Sequence, residues 1–174
     1  MIRIGIDLSI NSSCVCVMED GKKPVFYLIV PKMTYKMSAV NYGRICYITY
    51  DKINGNITHN VYAITEKISQ IIANYAAKTK DIQINIEDIS MGSKGRSVID
   101  LSILSGAVRY MLESKGITPR MLAITSWKKN MIGNAFADKS VIIDCGRMLE
   151  PEIYEQTRGV KTDDIFDSYF IARS

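Results

Sequence analysis

Four acids stand where their spacing suggests shared chemistry. Asp7 and Glu87 each close a short alternating apolar run, Ile2-Arg-Ile-Gly-Ile-Asp7 and Ile82-Gln-Ile-Asn-Ile-Glu87, and Asp164 and Asp167 lie three residues apart. A carboxylate at the mouth of a buried strand is costly unless a backbone amide, a basic side chain or a metal ion meets it. On a helix, a three-residue spacing puts both carboxylates on one face, less than a turn apart. Like charges so placed repel, and a cation between them is stabilising; a position in the first helical turn adds relief from the helix dipole. If that turn packs against Asp7 and Glu87, four carboxylates converge and call for Mg2+ or Mn2+, hard ions that prefer oxygen. Two such ions about 4 Å apart are the apparatus of phosphodiester hydrolysis, one lowering the pKa of the attacking water and the other stabilising the leaving oxygen. Singly, each acid has an ordinary reading: a turn acid, a strand-end surface charge, acids at a helix N-terminus. The ordered set, strand-Asp, strand-Glu, helix-DxxD, points to a metal site.

Other chemistries find little support. His59 is the only histidine and sits in the polar stretch Asn56-Ile-Thr-His59-Asn, which reads as solvated surface. The four cysteines, Cys14, Cys16, Cys46 and Cys145, have no zinc spacing, and Cys14 and Cys16 share one strand face as small core residues. No GxxxxGK[ST] phosphate loop is present. A kinase-like ATPase also begins strand-Asp-turn, but that fold needs two such domains around its nucleotide. The N-terminal run has a strand's period rather than a signal peptide's, and no stretch reads as a membrane span, so an intracellular, reducing compartment is expected. Lys and Arg exceed Asp and Glu by 22 to 18, for a net charge of +4, which permits an anionic partner without demanding one.

The elements that must position these acids follow from periodicity. With 174 residues, 47% hydrophobic and 23% charged, one globular domain spanning 1–174 is expected. Runs at 2–6, 14–18 and 25–30, joined by short polar turns, predict three antiparallel strands. Residues 32–56 are rich in Tyr, Lys, Met and Asn and read as a surface excursion, with a further strand within 44–51 and Asn54-Gly55 as its turn. Aromatics among lysines there could also contact nucleic acid. Val61, Ile64, Ile68, Ile71, Ile72 and Tyr75 predict a helix over 60–79, and 82–87 is a strand. A flexible basic loop, 90–96, leads to a helix containing Leu101 to Leu112, where Ser105, Gly106 and Ala107 permit close packing. A short strand over 121–125 precedes a helix capped by Ser126. Residues 137–149 predict another helix, 152–161 a polar linker, and 164–172 a last helix capped by Thr162 or Asp163. Strands followed by alternating helix and strand give a mixed α/β domain around a central sheet.

In order and spacing, these segments resemble the RuvC family of Holliday junction resolvases, within the RNase H-like superfamily. The likeness is carried by Ile4-Gly-Ile-Asp7-Leu-Ser, Ile84-Asn-Ile-Glu87-Asp-Ile-Ser-Met, the helix from Leu101 to Leu112, Thr125-Ser-Trp-Lys-Lys-Asn-Met-Ile-Gly133, Ala137-Asp-Lys139-Ser and Thr162-Asp-Asp164-Ile-Phe-Asp167-Ser-Tyr-Phe-Ile-Ala. It implies an RNase H-like α/β fold, with parallel strands after the three antiparallel ones. It also implies a homodimer built partly on the long helix, two Mg2+ ions per site, and paired nicks in four-way DNA junctions. Asp7, Glu87, Asp164 and Asp167 then hold the metals, Lys139 contacts a phosphate beside the active site, and Lys128 or Lys129 is the other DNA-binding lysine. Asp163 makes the last motif a double Asp; the spacing to Asp167 selects Asp164. Where the family often has an aromatic wedge after the second acid, this chain has Ser90 and Met91. The length of 32–56 suits a bacteriophage or viral member, acting in the host cytoplasm. A broader branched-DNA nuclease, an RNase H and a non-catalytic DNA-binding protein are the alternatives.

Overall fold

Isoleucine at every second position makes a strand wherever one face can be buried, and the first such run sits near the middle of the sheet. The computed structural model describes residues 1–32, 41–89, 95–157 and 161–174. Strands β1 (Ile2–Asp7), β2 (Ser13–Glu19) and β3 (Val25–Pro31) form the expected antiparallel meander. After β4 (Asn41–Tyr42) and β5 (Ile45–Tyr50) come helix α1 (Ile57–Ala76), β6 (Ile82–Glu87), α2 (Arg96–Ser114), β7 (Arg120–Leu122), α3 (Ile124–Ile132), α4 (Lys139–Leu149), α5 (Pro151–Thr157) and α6 (Thr162–Arg173). The described strands form one sheet in the order β4-β5-β3-β2-β1-β6-β7, with β1–β6, β6–β7 and β3–β5 parallel. This is the mixed sheet anticipated.

Strand parity divides the core. Ile2, Ile4, Ile6, Val15, Val17, Ile84 and Ile86 face α1 and α2, where Ile64, Ile68, Ile72, Leu104, Val108 and Leu112 meet them. Cys14, Cys16, Phe26, Leu28 and Ile45 face the other layer, with Trp127, Ile142, Ile153, Phe166 and Phe170. Cys14 and Cys16 are thus core residues, as expected.

Arg3, Gly5 and Asp7 share the parity that looks toward α6. A Cβ at Gly5 would stand 2.2 Å from the Ser168 carbonyl oxygen and 2.3 Å from the Ala172 amide nitrogen, so α6 lies on the strand backbone itself. Asn85, of matching parity on β6, donates from Nδ2 to the Ile171 carbonyl at 2.9 Å. A glycine inside a strand often marks such an approach. Gly5→Ala should therefore lower stability by about 3 kcal/mol, because backbone on both sides leaves the methyl nowhere to go. Urea denaturation reads this directly; an unchanged midpoint would mean that α6 can lift from the sheet.

Several local expectations are corrected. Ser126 does not cap α3: the helix begins at Ile124 after Ala123, whose carbonyl accepts from the Ser126 amide at 2.9 Å, so 124–125 belong to the helix and not to the strand. Within the expected linker 152–161, residues up to Thr157 form α5, started by Pro151, whose fixed φ suits a first helical position. Neither Thr162 nor Asp163 caps α6; both are helical, and Lys161 precedes them in the left-handed region at φ 51°. His59 lies in the first turn of α1, with Nε2 3.0 Å from the Asp51 carbonyl oxygen. The segment 33–40 and residues Ser90 and Met91 lie outside the described residues.

Candidate active site

Asp7 and Glu87 end two neighbouring parallel strands, whose register pairs Ile6 with Ile86 immediately before them. Both acids therefore stand at the same sheet edge, on the face that α6 covers. Because α6 crosses β1 at Gly5, its first turns lie over that edge and carry Asp164 and Asp167 to it. Sheet parity and one glycine thus bring together residues far apart in sequence.

The acids act on one another electrostatically. Burial pushes the Asp7 carboxyl well above its ordinary range, and the charges of Asp167, Glu87, Asp164 and Asp163 push it further. Burial raises Asp167 to about 7, with Glu87 adding to the shift and Lys128 opposing it. Burial likewise raises Glu87, against a hydrogen bond from Trp127 and the charge of Lys128. Asp164 is raised by burial against a hydrogen bond from Ser12. These are the shifts expected of carboxylates sharing a desolvated site without enough positive charge.

Asp163 differs. Burial raises it too, but the Lys139 ammonium bonds to it and holds it below the ordinary range. Asp163 is thus paired with an ammonium, whereas Asp164 meets the Ser12 hydroxyl and, at 3.7 Å, the Lys161 ammonium. Lys128 donates to the Ala137 carbonyl at 2.8 Å and acts on Glu87 and Asp167, so it borders the acids. Lys129 is exposed and makes no ion pair with them among the described residues.

The fit of a divalent cation can be judged from the donors. Among the described residues Asp167 Oδ1 is buried without a hydrogen-bond partner, a costly state for a carboxylate oxygen. Oxygen-only donors suit Mg2+ or Mn2+. Among the described residues no three Asp, Glu, His or Cys side chains are drawn tightly enough together to grip an ion. Beside them runs a cleft of about 390 Å³ lined by Asp7, Glu87, Ser97, Val98, Leu101 and Ile124 among others.

Four contributors escape sequence reasoning. Trp127 Nε1 donates to Glu87 Oε2 at 2.8 Å, orienting it. Ser12 and Lys161 hold Asp164, and Gly5 admits α6. A glycine inside an isoleucine strand, and a lone tryptophan whose indole N–H needs a partner when buried, were the available signals.

The fold has counterparts among known proteins. The chain is similar to the Thermus thermophilus RuvC structure at 14% identity, over 99% of this chain and 91% of that one, with a TM-score of 0.62. It is similar to T. thermophilus RuvC in complex with Holliday junction substrate at 13% identity, over 99% and 90%, with a TM-score of 0.65. The yeast mitochondrial Holliday junction resolvase Ydc2 matches at 14% identity, over 97% and 75%, with a TM-score of 0.50. These likenesses show the fold, which is RNase H-like. No curated protein matches the sequence. Among the described residues no helix is long and apolar enough to cross a membrane. The family model of crossover junction endodeoxyribonuclease RuvC matches residues 15–172, a span that begins after Asp7 and includes the other three acids. Since that match takes in nearly all of the 174 residues, the chain belongs to the RuvC family and is a crossover junction endodeoxyribonuclease.

Proposed function

We propose that the chain, as one domain over 1–174 and as a homodimer, resolves four-way DNA junctions by paired symmetric nicks, serving recombination and repair. Asp7, Glu87, Asp164 and Asp167 would hold two Mg2+ ions, with Mn2+ as a substitute. The observation that carries this reading is the buried, unpartnered Asp167 Oδ1 among carboxylates raised by burial. The T. thermophilus relative is recorded with a Holliday junction substrate. When bound, such ions activate an attacking water and stabilise the leaving oxygen. The chain's own side chains set the geometry. Trp127 fixes Glu87, and Ser12 with Lys161 fixes Asp164. Lys139, 72% exposed and tethered to Asp163, can turn its ammonium toward a backbone phosphate. Lys128 offsets charge at Glu87 and Asp167.

The test is an end-labelled four-way junction beside a fork, a linear duplex and an RNA–DNA hybrid, each with Mg2+. Symmetric nicks in the junction alone are expected. Equal cutting of fork and junction would make the enzyme a general debranching nuclease, and cutting only the hybrid would make it a ribonuclease H.

The homodimer rests on α2. Ile99 (58% exposed), Ile103 (44%) and Tyr110 (79%) recur at helical spacing with Gly106, beside which a Cβ would meet nothing within 4 Å. Among the described residues that stripe of small and apolar residues is largely uncovered, and a two-fold partner would cover it with the same stripe. Ile103→Asp should convert the dimer to a monomer in sedimentation and turn paired nicks into single ones. A variant that still sediments as a dimer would move the interface elsewhere.

A further inference from the structure

Phe136 is 84% exposed, yet the chain around it is tied down on both sides. Before it, Gly133 ends α3 in the left-handed region at φ 82°, its amide bonded to the Lys129 carbonyl at 3.1 Å. Asn134 Oδ1 accepts from the Phe136 amide at 3.0 Å, and the Asn134 carbonyl accepts from the Ala137 amide at 3.2 Å. After it, Ala137 is 2% exposed and its carbonyl takes the Lys128 ammonium at 2.8 Å. Asp138 then caps α4 by accepting from the Val141 amide at 3.1 Å. The turn is therefore fixed while its aromatic ring stands in water.

A single exposed apolar side chain is ordinary on a protein surface. The place of this one is not. Along the chain it lies between Lys128, whose ammonium bonds the carbonyl of the very next residue, Ala137, and acts on Glu87 and Asp167, and Lys139, which bonds Asp163. The equally exposed Met148 (82%) lies near the other end of α4, roughly 14 Å along the helix. Beside a lysine that acts on two of the acids, a covering protein would obstruct the substrate. A base has an apolar face that stacks on an aromatic ring, and lysines on either side suit its phosphates.

We infer that Phe136 is a stacking platform for a DNA base flanking the nicked step, so that the α3–α4 turn helps to set where the strand lies over the acids. The inference rests on the junction-cleaving reading above.

The test places 2-aminopurine at successive positions around the nicked step of a four-way junction and binds it to Asp7→Asn protein. A fluorescence change at one or two positions is expected on binding. It should disappear in the added Phe136→Ala and Phe136→Leu variants and return with Phe136→Trp. In otherwise wild-type protein, Phe136→Ala should raise the KM for the junction roughly ten-fold, as loss of one stacked base implies, with kcat changed less. An identical fluorescence profile in the alanine variant, or full function with leucine, would overturn the stacking role. Failure of the Asp7→Asn protein to bind the junction at all would instead overturn the junction reading.

Discussion

Asp7→Asn protein is expected to lose junction nicking by at least about three orders of magnitude, some 4 kcal/mol of barrier, while still binding the junction. Asparagine keeps the shape of the side chain and removes the charge that an ion would need. The Asp7 carboxyl feels Asp167, Glu87, Asp164 and Asp163 together. Single-turnover cleavage of a labelled junction, alongside a binding titration, separates the two effects. Cleavage within ten-fold of wild type would remove Asp7 from the machinery.

Without divalent metal, stability should fall as pH rises from the ordinary carboxylate range toward about 7. Asp167 is raised to about 7, and Asp7, Glu87 and Asp164 are raised as well, so the folded chain holds protons that the unfolded chain has already released. At low pH both states are protonated and no penalty exists. Through the intermediate range only the unfolded state ionises, and the fold loses ground; above the folded-state values the penalty is constant. For a buried carboxyl shifted this far the cost is of order a few kcal/mol. Thermal melts in EDTA should therefore show a falling midpoint between pH 5 and 7.5 and a recovery on adding Mg2+, which binds only the folded state. Asp167→Asn should flatten the pH dependence and weaken the recovery. A melt indifferent to both pH and Mg2+ would mean that these acids neither repel one another nor bind an ion.

The residues differ in how far their roles were visible in advance. Alternating isoleucines ending in Asp7 and Glu87, the isoleucine stripe of α1 and the acids of α6 were legible, because a strand or helix period is written within a few residues. Helix starts were read less well. Ser126 and Thr162 have the chemistry of caps, but both helices begin earlier, on Ala123 and on a left-handed Lys161. Pro151 starts a helix rather than a linker, because that short helix buries Ile153 and Thr157.

The sequence by itself determined which side chains can do the chemistry, the order in which they come and the elements that carry them, since these depend on residue type and local period. Only the tertiary structure decided which partners each of two adjacent acids meets. Asp163 and Asp164 are adjacent in the chain, but Lys139 from α4 pairs with the first, and Ser12 from the β1–β2 turn bonds the second. It likewise decided that Lys128 rather than Lys129 borders the acids and that Trp127 holds Glu87. Each outcome turns on contacts between segments that meet because α6 can lie against β1 at Gly5. Charge and desolvation act through space, and no local pattern records which distant group will be there.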